Sequence, residues 1–335
     1  MNILGNAIQT TIVKQGKKEL HHSFHVGLAG TFDYISHLGM MIMSISRYNP
    51  DMDFVFHLFV NRLPGDEDKR LDMAAAQTGN TIKIHVVNDE AFSSIIFGQY
   101  NASFFYRFIM PDIVSGETDR LLYMDGDMMC RGSLRELMEL DLGDSLAGVV
   151  SDRDEKRQMD QMQVQGFFNS GLMLIHVSQW VKKDMLAVIL QFSQDNLKYV
   201  GSNGRHSQWK HALYNDQNIL NKVLDGKVIW LPKKYNYIYK LNRSALFRKK
   251  AENEDYRKQI ILHFAGSVKP WHDWAANWPV VKEYRKIWLD SPWKDVPPSA
   301  PKSRKDCHQA AREYRVTGQY GKALHWYLEY YKRKL

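Results

Sequence analysis

Two carboxylates, Asp125 and Asp127, close the apolar run Leu121-Leu122-Tyr123-Met124. Side chains two residues apart on an extended segment share a face, so both can serve one ligand. Paired oxygen donors suit a hard cation, Mn2+ or Mg2+, which also binds diphosphate oxygens. An acidic pair at a strand end also serves as a polar turn with a capping Asp, so the pair alone decides nothing. Three further polar clusters follow along the chain. Phe167-Phe168-Asn169-Ser170-Gly171 leads into an apolar stretch, and Asn215-Asp216-Gln217-Asn218 has the composition of a helix start. His263-Phe264-Ala265-Gly266-Ser267-Val268-Lys269-Pro270-Trp271 follows the apolar pair Ile261-Leu262. Taken alone, His263 reads as well as a buried core histidine. Taken together, a cation, glycines that permit close backbone approach and a lysine suit a bound diphosphate. A metal and Lys269 would stabilise charge building on a leaving phosphate.

The segments around these clusters indicate what positions them. Short apolar runs at Phe24–Ala29, Phe54–Val60, Ile82–Val87, Arg120–Met124, Leu146–Val150 and Gly171–Val177 read as strands. Helix-period stretches lie at Leu38–Arg47, Asp66–Gln77, Leu134–Leu140, Met185–Phe192 and Asn215–Leu224. Val228–Leu231 is strand-like and Tyr235–Tyr239 is an aromatic loop. Fully apolar strands alternating with helices predict an α/β fold with a mostly parallel sheet covered on both faces. Such sheets bind ligands at the carboxyl ends of their strands, which is where Asp125 and Asp127 fall. Residues 291–301 hold four prolines and read as a linker between a catalytic domain, 1–290, and a helical tail, 302–335.

Charge is concentrated in that tail. Of the net +8, the nine Lys/Arg and three Asp/Glu of residues 302–335 supply +6. Tyr320, Leu324, Tyr327, Leu328 and Tyr331 recur at three- and four-residue intervals there, an amphipathic helical face among basic residues. This pattern suits the headgroup region of an anionic membrane, or a helix that packs its apolar face on the catalytic domain. The basic residues mark no recognised nucleic-acid motif, so no nucleic-acid partner is expected. Two cysteines, Cys130 and Cys307, neither in a metal or redox spacing, fit a reducing compartment. The first residues form no signal-like apolar segment, and no window reaches the length of a membrane span. The expectation is a cytoplasmic chain, peripheral on a membrane surface.

The four clusters, in this order and spacing, resemble glycosyltransferase family 8, and within it the bacterial lipopolysaccharide outer-core hexosyltransferases. The resemblance spans about residues 24–290, and the basic aromatic tail matches that subgroup's C-terminal extension. It implies a GT-A fold, Mn2+ or Mg2+, a UDP-sugar donor carrying glucose or galactose, retention of anomeric configuration and a lipid-linked core oligosaccharide acceptor. It also implies a position on the cytoplasmic face of the inner membrane. By the same resemblance Asp125, Asp127 and His263 are the metal ligands, and Gly266 and Lys269 the diphosphate contacts. Ala29, Thr31, Asp33, Tyr34, Arg107, Gly126 and Asn169 fall around the donor and acceptor. Asp152, Asp216 and Gln217 are the candidate catalytic group, with Gln217 where the family's nucleophile or transition-state stabiliser sits. Because an amide is a poor nucleophile, a front-face path with Gln217 as stabiliser is the preferred expectation.

One motif departs from the family. The first strand there runs into a Val-Asp-x-Asn-Tyr type motif whose Asp pairs with uracil, whereas this chain reads Gly30-Thr31-Phe32-Asp33-Tyr34. Thr31 stands at the Asp position, where its hydroxyl still donates or accepts, and Asp33 is the candidate substitute. Two other readings compete. A strand ending in Asp-x-Asp also opens haloacid-dehalogenase phosphatases, but near the N-terminus and followed by Thr or Val; here it is mid-chain and followed by Met128-Met129-Cys130. A non-enzymatic membrane assembly factor has no need for the intact set Asp125, Asp127, His263 and Lys269.

Overall fold

The computed structural model describes residues 3–17, 23–95, 101–152, 155–202, 215–241 and 256–333. Eleven strands are defined among them: β1 Ile8–Lys14, β2 Phe24–Gly30, β3 Phe54–Val60, β4 Thr81–Val87, β5 Arg120–Asp125, β6 Met128–Cys130, β7 Ala147–Ser151, β8 Phe168–His176, β9 Val228–Trp230, β10 Tyr237–Ile238 and β11 Ile261–His263. The described helices of eight or more residues are α1 Ile35–Tyr48, α2 Gly65–Thr78, α3 Glu155–Met162, α4 Met185–Ser202, α5 Asp216–Val223, α6 Pro279–Leu289, α7 Arg304–Val316 and α8 Tyr320–Lys332. The expected short helix at 134–140 is present as Arg135–Glu139.

Eight strands make the main sheet in the order β1-β4-β3-β2-β5-β8-β7-β9. The run β4-β3-β2-β5 is parallel, as is the pair β7-β9. The sheet is therefore mostly parallel, as the apolar runs predict, with two departures. β8 lies antiparallel to both β5 and β7, and β1 runs antiparallel to β4 at the edge. β1 carries no apolar run to announce it, because most of its residues are exposed, with Ile8 and Ile12 half-buried and Lys14 buried. The second sheet, β10-β11-β6, is small, but it fixes the site: its central strand β11 pairs antiparallel with β6 so that His263 stands opposite Met128.

The strands bury both faces. β3 is buried at every position, and its alternate residues feed two cores. On one face Phe54, Phe56, Leu58 and Val60 meet Leu38, Met41, Ile42 and Ile45 of α1. On the other, Phe59 joins the cluster that includes Ile219 and Leu220 of α5 and Ile189 of α4. Burying one such aliphatic or aromatic side chain is worth roughly 1.5–3 kcal/mol.

Residues 291–301 lie bound along the body. Trp293 is fully buried against α1, where a Cβ on Gly39 would come within 2.2 Å of its ring. Its indole Nε1 donates to Glu67 Oε2 at 2.7 Å, Arg70 holds Asp295 at 2.6 Å, and Ser299 N donates to Trp271 O at 2.8 Å. Beyond it, α7 starts with a reciprocal cap: Ser303 Oγ accepts from Asp306 N and Asp306 Oδ2 accepts from Ser303 N. The helix buries Cys307, Ala310, Ala311 and Tyr314, and Gln309 Nε2 donates to Ser267 Oγ at 2.6 Å. α8 lies along α7 with Ala323 buried and Trp326 half-buried. Its other side leaves Tyr320, Leu324, Leu328 and Tyr331 exposed, by 71% and 61% for the first two. Of the expected face, Tyr327 is half-buried; Lys334 and Leu335 lie outside the described residues.

Candidate active site

The catalytic candidates gather where β5 leaves the main sheet. Asp125 is the last residue of β5, Gly126 and Asp127 turn the chain, and β6 enters the small sheet. The two carboxylates thus converge across a turn rather than along an extended strand, as their spacing alone suggested. Gly126 leaves room there for Leu38, since a Cβ would lie 2.7 Å from Leu38 Cδ2. The β6–β11 pairing brings His263 to the same point, and Phe264 N donates to Asp127 O at 2.9 Å. One ligand atom each from Asp125, Asp127 and His263 lies within 4.8 Å of the others.

The donors fit a divalent cation. His263 Nδ1 bonds Asn236 Oδ1 at 3.0 Å, which places a ring proton on Nδ1 and turns Nε2 toward Asp127 Oδ1, 3.2 Å away. Gly171 makes the convergence possible: a Cβ there would stand 2.6 Å from His263 Cε1 and 2.8 Å from Asp125 Oδ2. Lys269 Nζ lies 2.5 Å from Asp127 Oδ2 and 2.9 Å from Phe264 O. Burial opposes ionisation of Asp127, but His263 and Lys269 outweigh it and hold the carboxyl well below its usual range. His263 is displaced the other way: burial disfavours its charge, Asp127 more than restores it, and its pKa is raised.

Arg107 organises the opposite wall. It is only 5% exposed and sits in a 3-10 turn, Tyr106–Phe108. Its guanidinium reaches Asp125 Oδ1 at 3.0 Å and Asp216 Oδ2 at 3.1 Å, donates to Ser170 O at 2.9 Å, and lies over the Tyr123 ring. Tyr123 OH also donates to Asp125 Oδ1, at 2.6 Å. Asp125 is therefore pinned through one oxygen, with its Oδ2 directed toward Gly171 and the histidine. Burial raises the pKa of Asp216, and Arg107 opposes that rise.

A row of amides continues from the histidine. Asn236 Nδ2 donates to Asn169 Oδ1 at 2.9 Å; Asn169 Nδ2 donates to Gln217 Oε1 at 3.2 Å and Asp152 Oδ2 at 3.3 Å. Ser170 N donates to Gln217 Oε1 at 3.2 Å. Asn215 accepts from Asn218 N at 2.7 Å and so caps α5, which frees Asp216 and Gln217 for the site. The structure thus joins Asp152, Asn169, Gln217, His263, Asp127 and Lys269 in one hydrogen-bonded chain. Asn236 is its central link, a single amide within the aromatic loop Tyr235–Tyr239 that no motif marks.

Next to this chain lies a cavity of about 320 Å³, lined among others by Ala29, Thr31, Tyr34, Phe104, Arg107 and Lys269. Gly30, Asn101 and Ser103 also line it and were not expected. Asp33 does not line it: the residue is exposed on the 3-10 turn Phe32–Tyr34. Gly266 is also exposed, between β11 and Lys269, and its φ of +117° is one that favours glycine.

Comparisons with known proteins agree with this geometry. Among curated proteins, the chain is 26% identical over 321 residues to lipopolysaccharide 1,3-galactosyltransferase of Salmonella typhimurium, covering 93% of this chain and 91% of that one. It is 29% identical over 294 residues to a lipopolysaccharide 1,2-glucosyltransferase of Escherichia coli, covering 84% and 82%. Among solved structures, the galactosyltransferase LgtC in complex with donor and acceptor sugar analogs shares the fold with a TM-score of 0.63 at 20% identity, over 80% of this chain and 96% of that one. A sequence model of glycosyl transferase family 8 matches residues 25–275, and the model of that family's C-terminal region matches 278–334. The boundary between these matches precedes α6, whereas the proline pattern had suggested 291–301. Since the first match alone spans well over half of the residues, the chain belongs to glycosyl transferase family 8.

Proposed function

We propose that the protein transfers glucose or galactose from a UDP-sugar to a lipopolysaccharide core oligosaccharide, with Mn2+ or Mg2+ held by Asp125, Asp127 and His263. The observation that carries this reading is the convergence of those three ligands and Lys269 beside a cavity of about 320 Å³. When bound, the ion supplies Lewis-acid stabilisation of the departing diphosphate. The residues do the rest. Arg107 and Tyr123 fix Asp125, and Asn236 holds the histidine tautomer. Lys269, held by Asp127 and Phe264 O, supplies a positive charge beside the carboxylate that would meet the ion. Gln217 lies within the Asn169–Asp152 amide row, its Oε1 held by Asn169 and the Ser170 N–H, and is the candidate transition-state stabiliser. Thr31, lining the cavity, takes the base-edge contact, and exposed Asp33 does not replace it.

The test is UDP release from UDP-glucose and UDP-galactose, with Mn2+ or Mg2+ and purified core acceptors. Turnover should vanish with EDTA and fall about a thousandfold or more in Asp127→Asn, a loss of several kcal/mol of transition-state stabilisation. Turnover that survives both treatments would contradict the metal role.

The tail supports a peripheral position on an anionic membrane surface, the cytoplasmic face of the inner membrane that would hold the acceptor. Tyr320, Leu324, Leu328 and Tyr331 are exposed on α8, with Lys322, Lys332 and Arg333 among them. None of the described helices is long and apolar enough to cross a membrane.

A further inference from the structure

A second cluster of ligand-type side chains crosses β2, β3 and β4 on one face of the main sheet. His25 on β2, His57 on β3 and His85 on β4 project from the same sheet face, opposite Val26, Phe56 and Ile84. All three are buried, His57 completely. Their rings stack across neighbouring strands, with centroids 5.2 Å and 5.3 Å apart. His25 Nδ1 bonds His57 Nε2 at 2.9 Å, His57 Nδ1 bonds His85 Nε2 at 3.0 Å, and His85 Nδ1 bonds Thr11 Oγ1 on β1 at 3.0 Å. Glu117 Oε2 comes within 4.0 Å of His57 Nε2. Nothing in glycosyl transfer uses this row. His25 is four residues before Ala29 on β2, roughly 13 Å from the donor cavity at the rise of a strand.

We infer that this cluster is a second metal site, which takes a zinc-class ion through His25 Nδ1, His57 Nε2 and a Glu117 carboxylate oxygen. The three ligand atoms already lie within 4.8 Å of one another. Tetrahedral zinc with bonds of about 2.0–2.1 Å separates two nitrogens by about 3.3 Å, so the 2.9 Å contact has only to open by a few tenths of an ångström. Two imidazoles and one carboxylate favour zinc over the oxygen-seeking Mn2+ or Mg2+ of the catalytic centre. The outer links match a metal site as well. With His57 Nδ1 donating to His85, and His85 Nδ1 to Thr11, both rings hold one proton and one fixed orientation. His25 then carries its proton on Nε2, so the ion enters by a change of tautomer with no net proton released. Burial pushes His25 and His85 down to about 4, which keeps these imidazoles neutral at pH 7. Lys83 Nζ, 2.6 Å from Glu117 Oε2, is the competing cation. Both partners are partly exposed, and a carboxylate has a second oxygen for the ion. The site would clip β2 and β3 to the segment that leads into β5.

The experiment uses the full chain carrying Asp127→Asn, to silence the catalytic site, and measures zinc stoichiometry against a chromophoric chelator, Co2+ absorption and the zinc-dependent rise in Tm. One equivalent of zinc with a tetrahedral Co2+ spectrum is expected. Glu117→Gln should weaken that binding at least tenfold and remove the Tm rise, and His25→Asn should abolish it. Glu117 is partly exposed, so its variant decides the matter even if a buried histidine variant fails to fold. No bound equivalent in the Asp127→Asn protein, or binding that survives Glu117→Gln unchanged, overturns the inference; the latter would mark a surface site elsewhere.

Discussion

At the scale of single residues, the site depends on side chains that do not touch the ion or the sugar. Asn236 fixes the His263 tautomer and links it to Asn169. Asn236→Ala should lower the affinity for the activating metal about 10- to 100-fold while far-UV dichroism stays unchanged; metal titration of UDP release measures it. Asn236→Asp, which keeps the acceptor, should recover part of that loss. Asp112 offers a different test. Burial, with Asp184 nearby, pushes its carboxyl up to about 6, and its Oδ2 has no hydrogen-bond partner among the described residues. The folded pKa lies above the usual carboxylate value, so ionisation costs stability. That cost is absent below about pH 4, grows as pH rises through 6 and is constant above. Asp112→Asn should therefore raise stability at pH 7.5 by about 1 kcal/mol, a value reduced for partial solvation, and the gain should vanish at pH 4 in paired thermal melts. Asp125, Asp127, His263 and Lys269 were legible because they sit in compact motifs at the ends of apolar runs. Asn236 was not, because a single amide in a loop carries no periodic signal, and only the pairing of β10 with β11 brings it to the histidine.

At the scale of elements, the parallel strands announced themselves as continuous apolar runs, and the helices between them by their period. Strand direction was not written there: β8 is as apolar as its neighbours yet antiparallel to both. Its reversal is what lays Asn169, Ser170 and Gly171 at the end of β5, beside Asp125. Edge strand β1 was illegible because only one side of it meets the core. The segment 291–301 read as a linker from its prolines, since composition cannot show that Trp293 fills a slot over Gly39. Trp293→Ala should lower stability by about 3–5 kcal/mol, by loss of transferred surface and by the cavity left behind. Urea denaturation checks the value, and a change under 1 kcal/mol would mean the segment is not part of the folded core.

At the scale of the whole molecule, the catalytic body and the tail share one core, since Ala310, Tyr314 and Ala323 join the cluster that holds β2 and α1. Removing residues 302–335 would uncover that surface, so membrane attachment is better tested on the outer face of α8. Leu324→Ser with Leu328→Ser should leave UDP-sugar hydrolysis in water within about twofold of the parent. The same pair should reduce co-sedimentation with anionic phosphatidylglycerol vesicles several-fold and lower transfer to membrane-embedded acceptor. Equal sedimentation of parent and variant would rule this face out as the attachment surface.

The Trp293 plug also dictates an order of events during synthesis. The slot over Gly39 is made early in translation, whereas its filler emerges 254 positions later. At about 5–20 residues per second, that interval lasts tens of seconds. Throughout it, the nascent sheet and α1 present an unfilled apolar hollow, and the loop with Lys269, once made, still waits for its support from Ser299 and Gln309. The enzyme is thus assembled only when its last helices leave the ribosome. A chaperone holding the growing chain would find its grip at α1 and be displaced by the arrival of a single tryptophan.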